Sequence, residues 1–317
     1  MNNIFTHKGI LSGNDSAAFA FFSANVHHVL GISAFDEQVD LFHKANSFAD
    51  QQAGDAHPFL LADLPFNAEW QMLTPGIIAT FHFGHYRLLP LLLALSHIPI
   101  CIMVSQTVKE KQQAYYQNIL DEERCANVGF IVAEDPRLFF QIRSYLGKGY
   151  HILCYVDGGK GLGKTELQTH AMSMDFLHCT LWIRTGFAHI AYLSDVPIYA
   201  AWECMDRNNN REFKPTIYRP LANDSRINFV YRCVHALYAD FARSLRSRPF
   251  AWENLFYLQD SIRLSADKIY LPDTDRYVPF RQEDHYFILD KSNYLSYPLN
   301  LDKFDRLCNI FCQQITI

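Results

Sequence analysis

At 317 residues, with 49% hydrophobic and 15% aromatic side chains, the chain can bury a real core as one large domain, alone or with a small appendage. That composition excludes disorder as the main state. A formal charge of −5 and a pI near 6.3 supply no overall drive toward nucleic acid, which is not expected as a partner.

The first nine residues carry one lysine and no apolar core, so no export signal is expected. Residues 1 to about 70 then show helical spacing at Ala17, Phe21, Ala24 and Leu30 and again at Val39 and Phe42, with Asp36 as the expected N-cap. They form a helical lead-in. Thr74-Pro75-Gly76 breaks the chain, and Ile77 to Phe81 reads as a buried strand. The apolar stretch Leu88 to Val104 is 17 residues long and is interrupted by Pro90, His97 and Pro99, whereas a spanning helix needs about 20 apolar residues. It is a buried helix from Leu88 followed by a strand from Ile98.

Further along, Lys109 to Cys125 has the pattern of an amphipathic helix and Val128 to Val132 that of a strand. Asp135-Pro136 opens a helix that stops at Gly147-Lys148-Gly149, and Tyr150 to Val156 is a strand ending at Asp157. A helix from Gly186 to Leu193, a turn at Asp195-Val196-Pro197 and a strand from Ile198 to Trp202 continue the alternation. Arg226 to Arg246 is an amphipathic helix, and Lys268 to Leu299 is aromatic and alternating, followed by a helix from Asp302 to Cys312. This order predicts an α/β fold with a largely parallel or mixed sheet across residues 71–265, plus a small β-rich C-terminal module at 266–317. Functional residues are then expected in loops at strand ends.

The eight cysteines are scattered and mostly sit in apolar strings such as Ile100-Cys101-Ile102, which predicts reduced, buried thiols and a cytoplasmic protein. Cys308 and Cys312 lie four apart on a predicted helix, but no nearby ligand pair completes a metal site.

Two segments carry candidate chemistry. Gly158-Gly159-Lys160-Gly161-Leu162-Gly163-Lys164-Thr165 fits the phosphate-loop pattern GxxxxGK[ST] and follows a predicted strand, so Lys164 would reach phosphates and Thr165 would hold Mg²⁺. Against that, no later strand ends in a clear magnesium-binding aspartate, and the plain alternative is a Gly/Lys surface loop. The other segment is Phe81-His82-Phe83-Gly84-His85-Tyr86-Arg87-Leu88, which presents His82 where a strand gives way to a helix, a place suited to a general base.

With that segment in place, the chain between about residues 70 and 260 resembles the lipid A biosynthesis acyltransferases of the lysophospholipid acyltransferase superfamily. Their histidine is followed after four residues by an acid, often as His-Phe-Gly-Asn-Trp-Glu, and His82-Phe83-Gly84-His85-Tyr86-Arg87 stands in that register. Tyr155-Val156-Asp157-Gly158-Gly159 matches the family's later Pro-Asp-Gln-Asp-like strand end. Thr185-Gly186-Phe187-Ala188 through Asp195-Val196-Pro197-Ile198-Tyr199 matches the following helix and strand. The resemblance implies an acyltransferase-type α/β sandwich and transfer of an acyl chain from acyl-carrier protein or acyl-coenzyme A to a hydroxyl or amine. His82 would be the base, and no metal or bound cofactor is required.

One departure matters: Arg87 occupies the place of the acid. A cation beside His82 would weaken it as a base, so Asp157 is expected to supply the carboxylate, or His85 to share the proton. His85 and Arg87 are then expected to shape the acceptor site, with the Arg87 fork suited to a carboxylate or phosphate. The resemblance gives Lys160 and Lys164 the donor's phosphates to hold; from their position at a helix start, Arg184, Thr185 and Gly186 are expected to offer N–H groups to the thioester oxyanion, the plain alternative being an ordinary helix cap. The main alternative is a catalytically impaired acyl-carrier or lipid-binding protein; the phosphate-loop enzyme comes second. Relatives are usually held at the membrane by an N-terminal apolar helix, and no such anchor is expected here. The acceptor is therefore expected to be a small molecule, a peptide or a lipid met by at most peripheral contact with the inner membrane. The C-terminal module faintly resembles a peptide-binding winged helix, with a packing role favoured.

Overall fold

The structure is a computed structural model that describes residues 9–53, 68–158, 171–206, 210–264 and 276–313. In chain order the helices are α1 Ser16–Leu30, α2 Phe35–Ala53, α3 Leu88–Leu95, α4 Gln106–Ile119, α5 Glu122–Cys125, α6 Leu138–Gly147, α7 Gly186–Leu193, α8 Arg226–Ser247 and α9 Leu301–Gln313. The strands are β1 Ile77–Thr80, β2 Ile100–Val104, β3 Val128–Val132, β4 His151–Tyr155, β5 Ala171–Phe176, β6 Cys179–Arg184, β7 Ile198–Ala200, β8 Glu203–Met205, β9 Arg211–Phe213, β10 Thr216–Tyr218, β11 Ile262–Arg263, β12 Tyr277–Gln282, β13 His285–Asp290 and β14 Leu295–Leu299. The expected α/β class is observed: a mostly parallel central sheet accompanied by separate small antiparallel sheets. No single helix among the described residues is long and apolar enough to cross a membrane.

The chain divides into two compact units. One comprises Gln51–Gly158 and Arg184–Ser244 and holds the six-stranded sheet in the order β10-β7-β1-β4-β2-β3. Strands β7, β1, β4, β2 and β3 run parallel, and β10 closes the β7 edge antiparallel. The parallel strands are short apolar runs because both faces are covered: β1 is buried at every residue, as are Ile152 and Leu153 in β4. A core of Ile78, Leu88, Leu91, Ile100, Leu153 and Tyr199 packs around Trp70, whose indole N–H donates to the Phe213 carbonyl at 2.8 Å. Gly76 leads into β1 because a Cβ there would meet the Pro197 carbonyl oxygen at 2.5 Å. Within this unit α8 buries Phe229, Cys233, Leu237 and Phe241 completely, a spacing of four that keeps one face inward.

The other unit comprises Met1–Asp50, Gly159–Ile183 and Leu245–Ile317. It contains the three-stranded sheets β11-β6-β5 and β12-β13-β14. Aromatic edges knit it together: Phe19 meets Phe35 and Phe42, and Phe22 meets Phe42 and Phe256, with centroids 4.8 to 5.6 Å apart. Ser16 Oγ accepts from the Arg281 N–H at 2.7 Å, tying α1 to β12. The lead-in helices and the C-terminal strands, which the sequence treats as separate segments, thus belong to one unit.

Local departures from the sequence reading have local causes. The helix expected over 109–125 begins earlier and breaks after Ile119, because Asp121 caps a new helix by accepting the Arg124 N–H at 2.9 Å. Asp36 lies inside the first turn of α2 rather than at its cap, where its charge suits the helix dipole. The β5/β6 hairpin has no expectation in the sequence reading; Leu177 at its turn takes φ 53 without a glycine to announce it. Cys101, Cys125, Cys154 and Cys233 are free thiols.

Candidate functional site

The site grows from the geometry of β1 and its two parallel neighbours. The chain leaves β1 toward β2 on one side of the sheet and leaves β4 toward β7 on the other. Adjacent parallel strands whose connections depart in opposite directions open a crevice at their carboxyl ends. Thr80 is level with Tyr155, so two residues further on His82 is level with Asp157. Beyond the last strand residue, Phe83 N–H donates to the Phe81 carbonyl at 2.7 Å, a three-residue turn with His82 at its centre.

That register becomes contact. Asp157 Oδ1 lies 2.8 Å from His82 Nδ1, and the carboxylate also accepts the His82 main-chain N–H at 3.0 and 3.2 Å. The side chain of Asp157 is 2% exposed and that of His82 28%, so the carboxylate is hidden behind an imidazole that solvent and ligands can reach. With the proton held on Nδ1 toward Asp157, the ring's lone pair is on Nε2. The imidazole stacks on Tyr155 at 4.4 Å and 23° and meets Tyr86 edge-on at 5.0 Å. Burial drives the Tyr155 hydroxyl well above its ordinary pKa, with Tyr116, Tyr86 and Asp157 adding to the effect and Arg87 opposing it. Tyr155 is therefore a neutral wall for His82.

The other expected residues fall in different places. His85, expected at the acceptor site or sharing a proton with His82, is 4% exposed, and its Nδ1 lies 2.7 Å from Glu203 Oε2. Its main-chain N–H donates to the same oxygen at 2.9 Å. Arg87 sits half-buried with its guanidinium over the Tyr86 ring at 5.5 Å and its Nε donating to the Tyr86 hydroxyl at 3.3 Å. His82 and Arg87 thus both touch Tyr86. Thr185 and Gly186 begin α7, where the Thr185 carbonyl accepts from Ala188 and His189 at 3.0 and 3.1 Å. Lys160 and Lys164, with the rest of the 159–165 glycine loop, lie outside the described residues. Among the described residues no cluster of three His, Cys, Asp or Glu could hold a metal.

Glu203, Tyr86 and Tyr155 escape the sequence reading. Glu203 could have been found by the rule that singles out Asp157, since it too is a carboxylate directly after an apolar strand run. The two tyrosines carry no such signal, because an aromatic at a strand end is ordinarily core.

The arrangement suits proton abstraction: an accessible imidazole, backed by a buried carboxylate, at the carboxyl ends of parallel strands. No family model matches the chain, and no curated protein matches it, so its chemistry is read from these residues alone.

Proposed function

We propose that this chain is an acyltransferase whose central unit is an acyltransferase-type α/β sandwich like that of the lipid A biosynthesis enzymes. The observation that carries the reading is the His82–Asp157 pair, which supplies the carboxylate that the Arg87 position lacks. In the reaction an acceptor hydroxyl or amine gives its proton to His82 Nε2 as its oxygen or nitrogen bonds to the thioester carbon. Asp157 stabilises the imidazolium, as the acid does in a Ser-His-Asp triad. The tetrahedral adduct then collapses, the C–S bond breaks, and the proton on Nε2 passes to the leaving thiolate.

The donor is acyl-carrier protein or acyl-coenzyme A, with Lys160 and Lys164 assigned to its phosphates and the Thr185–Gly186 helix start to the oxyanion. The acceptor is a small molecule, peptide or lipid, and Arg87 is assigned to an anionic group on it. The test is mass-spectrometric loss of acyl thioesters across a range of chain lengths, with wild type and His82→Ala compared. Turnover that depends on His82 is the expected result, and equal turnover by the variant would remove His82 from the mechanism and overturn the reading.

A further inference from the structure

The turn that carries His82 is held twice, in the same way. Strand β1 lies between β4 and β7, and each neighbour is followed by one buried carboxylate. By register Ala79 is level with Ala200, so Glu203 after β7 is level with His82, as Asp157 after β4 is. Each carboxylate grips a histidine of the turn at two points, the main-chain N–H and Nδ1: Asp157 takes His82 and Glu203 takes His85. Between them Gly84 has φ +62, and a Cβ there would lie 2.8 Å from the Glu203 Cβ. Only glycine lets the turn close down on Glu203 in that conformation.

We propose that Glu203 is a positioning residue for His82. It acts through His85 and the tight contact at Gly84, fixing the far end of the turn so that the imidazole stays in register with Asp157. The side chains of Glu203 and His85 are 0% and 4% exposed, which keeps both out of contact with substrate. A carboxylate that accepts two hydrogen bonds in a dry site loses little to motion, so the turn has one conformation. Without this grip the turn loses its second carboxylate anchor, and the imidazole samples other ring orientations and both neutral tautomers.

The proposal rests on His82 as the base for its consequence in activity, but its physical content can be read without turnover. The test is Glu203→Gln, with the His82 ring followed by long-range ¹H–¹⁵N correlation on ¹⁵N-histidine-labelled protein. Wild type should show His82 as the Nδ1–H tautomer. The variant should show at least a threefold rise in the other tautomer while circular dichroism remains native, and thioester turnover should fall at least tenfold in kcat with KM for the donor within twofold. Should Glu203→Gln fail to fold, Glu203→Asp, which keeps the charge and shortens the reach, is read in the same way.

A folded variant with the wild-type His82 tautomer overturns the proposal, because a purely structural glutamate would lower the melting temperature and leave that signal in place. A shifted tautomer in a protein whose wild type consumes no thioester supports the positioning role and sinks the acyltransferase reading instead.

Discussion

Replacing Asp157 by asparagine tests the catalytic pair most directly, because the change keeps the volume and removes the charge. When the ring takes its second proton, its charge and that of the carboxylate sit about 4 Å apart, which at an effective dielectric constant of about 20 is worth about 4 kcal/mol. The burial of Asp157 at 2% exposure keeps that attraction from being screened away. An amide forgoes it and also favours the wrong tautomer, since one of its two arms can only donate. At 1.36 kcal/mol per factor of ten, Asp157→Asn is expected to lower kcat by about 10³-fold. KM for the thioester should move by less than about twofold, since the pair acts only once the proton moves. The assay is release of free thiol from the preferred acyl donor, followed across donor concentrations. An asparagine variant within threefold of wild type in kcat would show that the carboxylate does not assist His82, whatever His82 itself does.

Two other outcomes follow from the same unit. Burial holds the His151 imidazole at about 4 against an ordinary 6.5, and its Nδ1 is buried with no hydrogen-bond partner among the described residues. The unfolded chain therefore takes up a proton below pH 6.5 that the folded chain refuses until about 4, so stability falls as pH drops through that window. The loss reaches about 3 kcal/mol. His151→Leu should flatten this part of the pH dependence, read from urea midpoints at pH 7.5 and 5; parallel curves for variant and wild type would refute the assignment. Phe81→Ala removes a ring that is 0% exposed, stacks on Phe241 at 3.7 Å and meets Trp202 and Tyr238 edge-on. It should cost about 3–5 kcal/mol in urea unfolding, and a loss below about 1 kcal/mol would mean the cavity collapses without penalty.

The parallel sheet was legible because its strands, fully buried in β1 and β7 and partly so at the β3 edge, stand out as apolar runs between turn signals. Val128 to Val132 and Gly186 to Leu193 match their elements residue for residue. The hairpin over Ala171–Arg184 went unread although β5 alternates, with Met174 and Phe176 buried and Asp175 exposed between them, because its turn uses a leucine and no glycine marks it. At the site, His82 and Asp157 could be named from their positions after strands, but their contact depends on β1 pairing with β4, a partner 75 residues away that no local pattern specifies. The setting of His85 is hidden from the sequence in the same way. Its environment is set by Glu203, which reaches it through the pairing of β1 with β7. Where a side chain depends on its own element, the sequence carries the answer; where it depends on which strands are neighbours, topology has to supply it.

The twofold return of the chain to the unit that contains α1 has a consequence for biogenesis. Ser16 waits for a partner 265 residues downstream, and Tyr294 donates to Asn25 across 269. Loops of that length close slowly, and these contacts cannot form until Arg281 and Tyr294 have left the ribosome. Before that, α1 can shelter Phe19 and Phe22 against Phe35 and Phe42 of α2, and its bonds to Arg281 and Tyr294 come last.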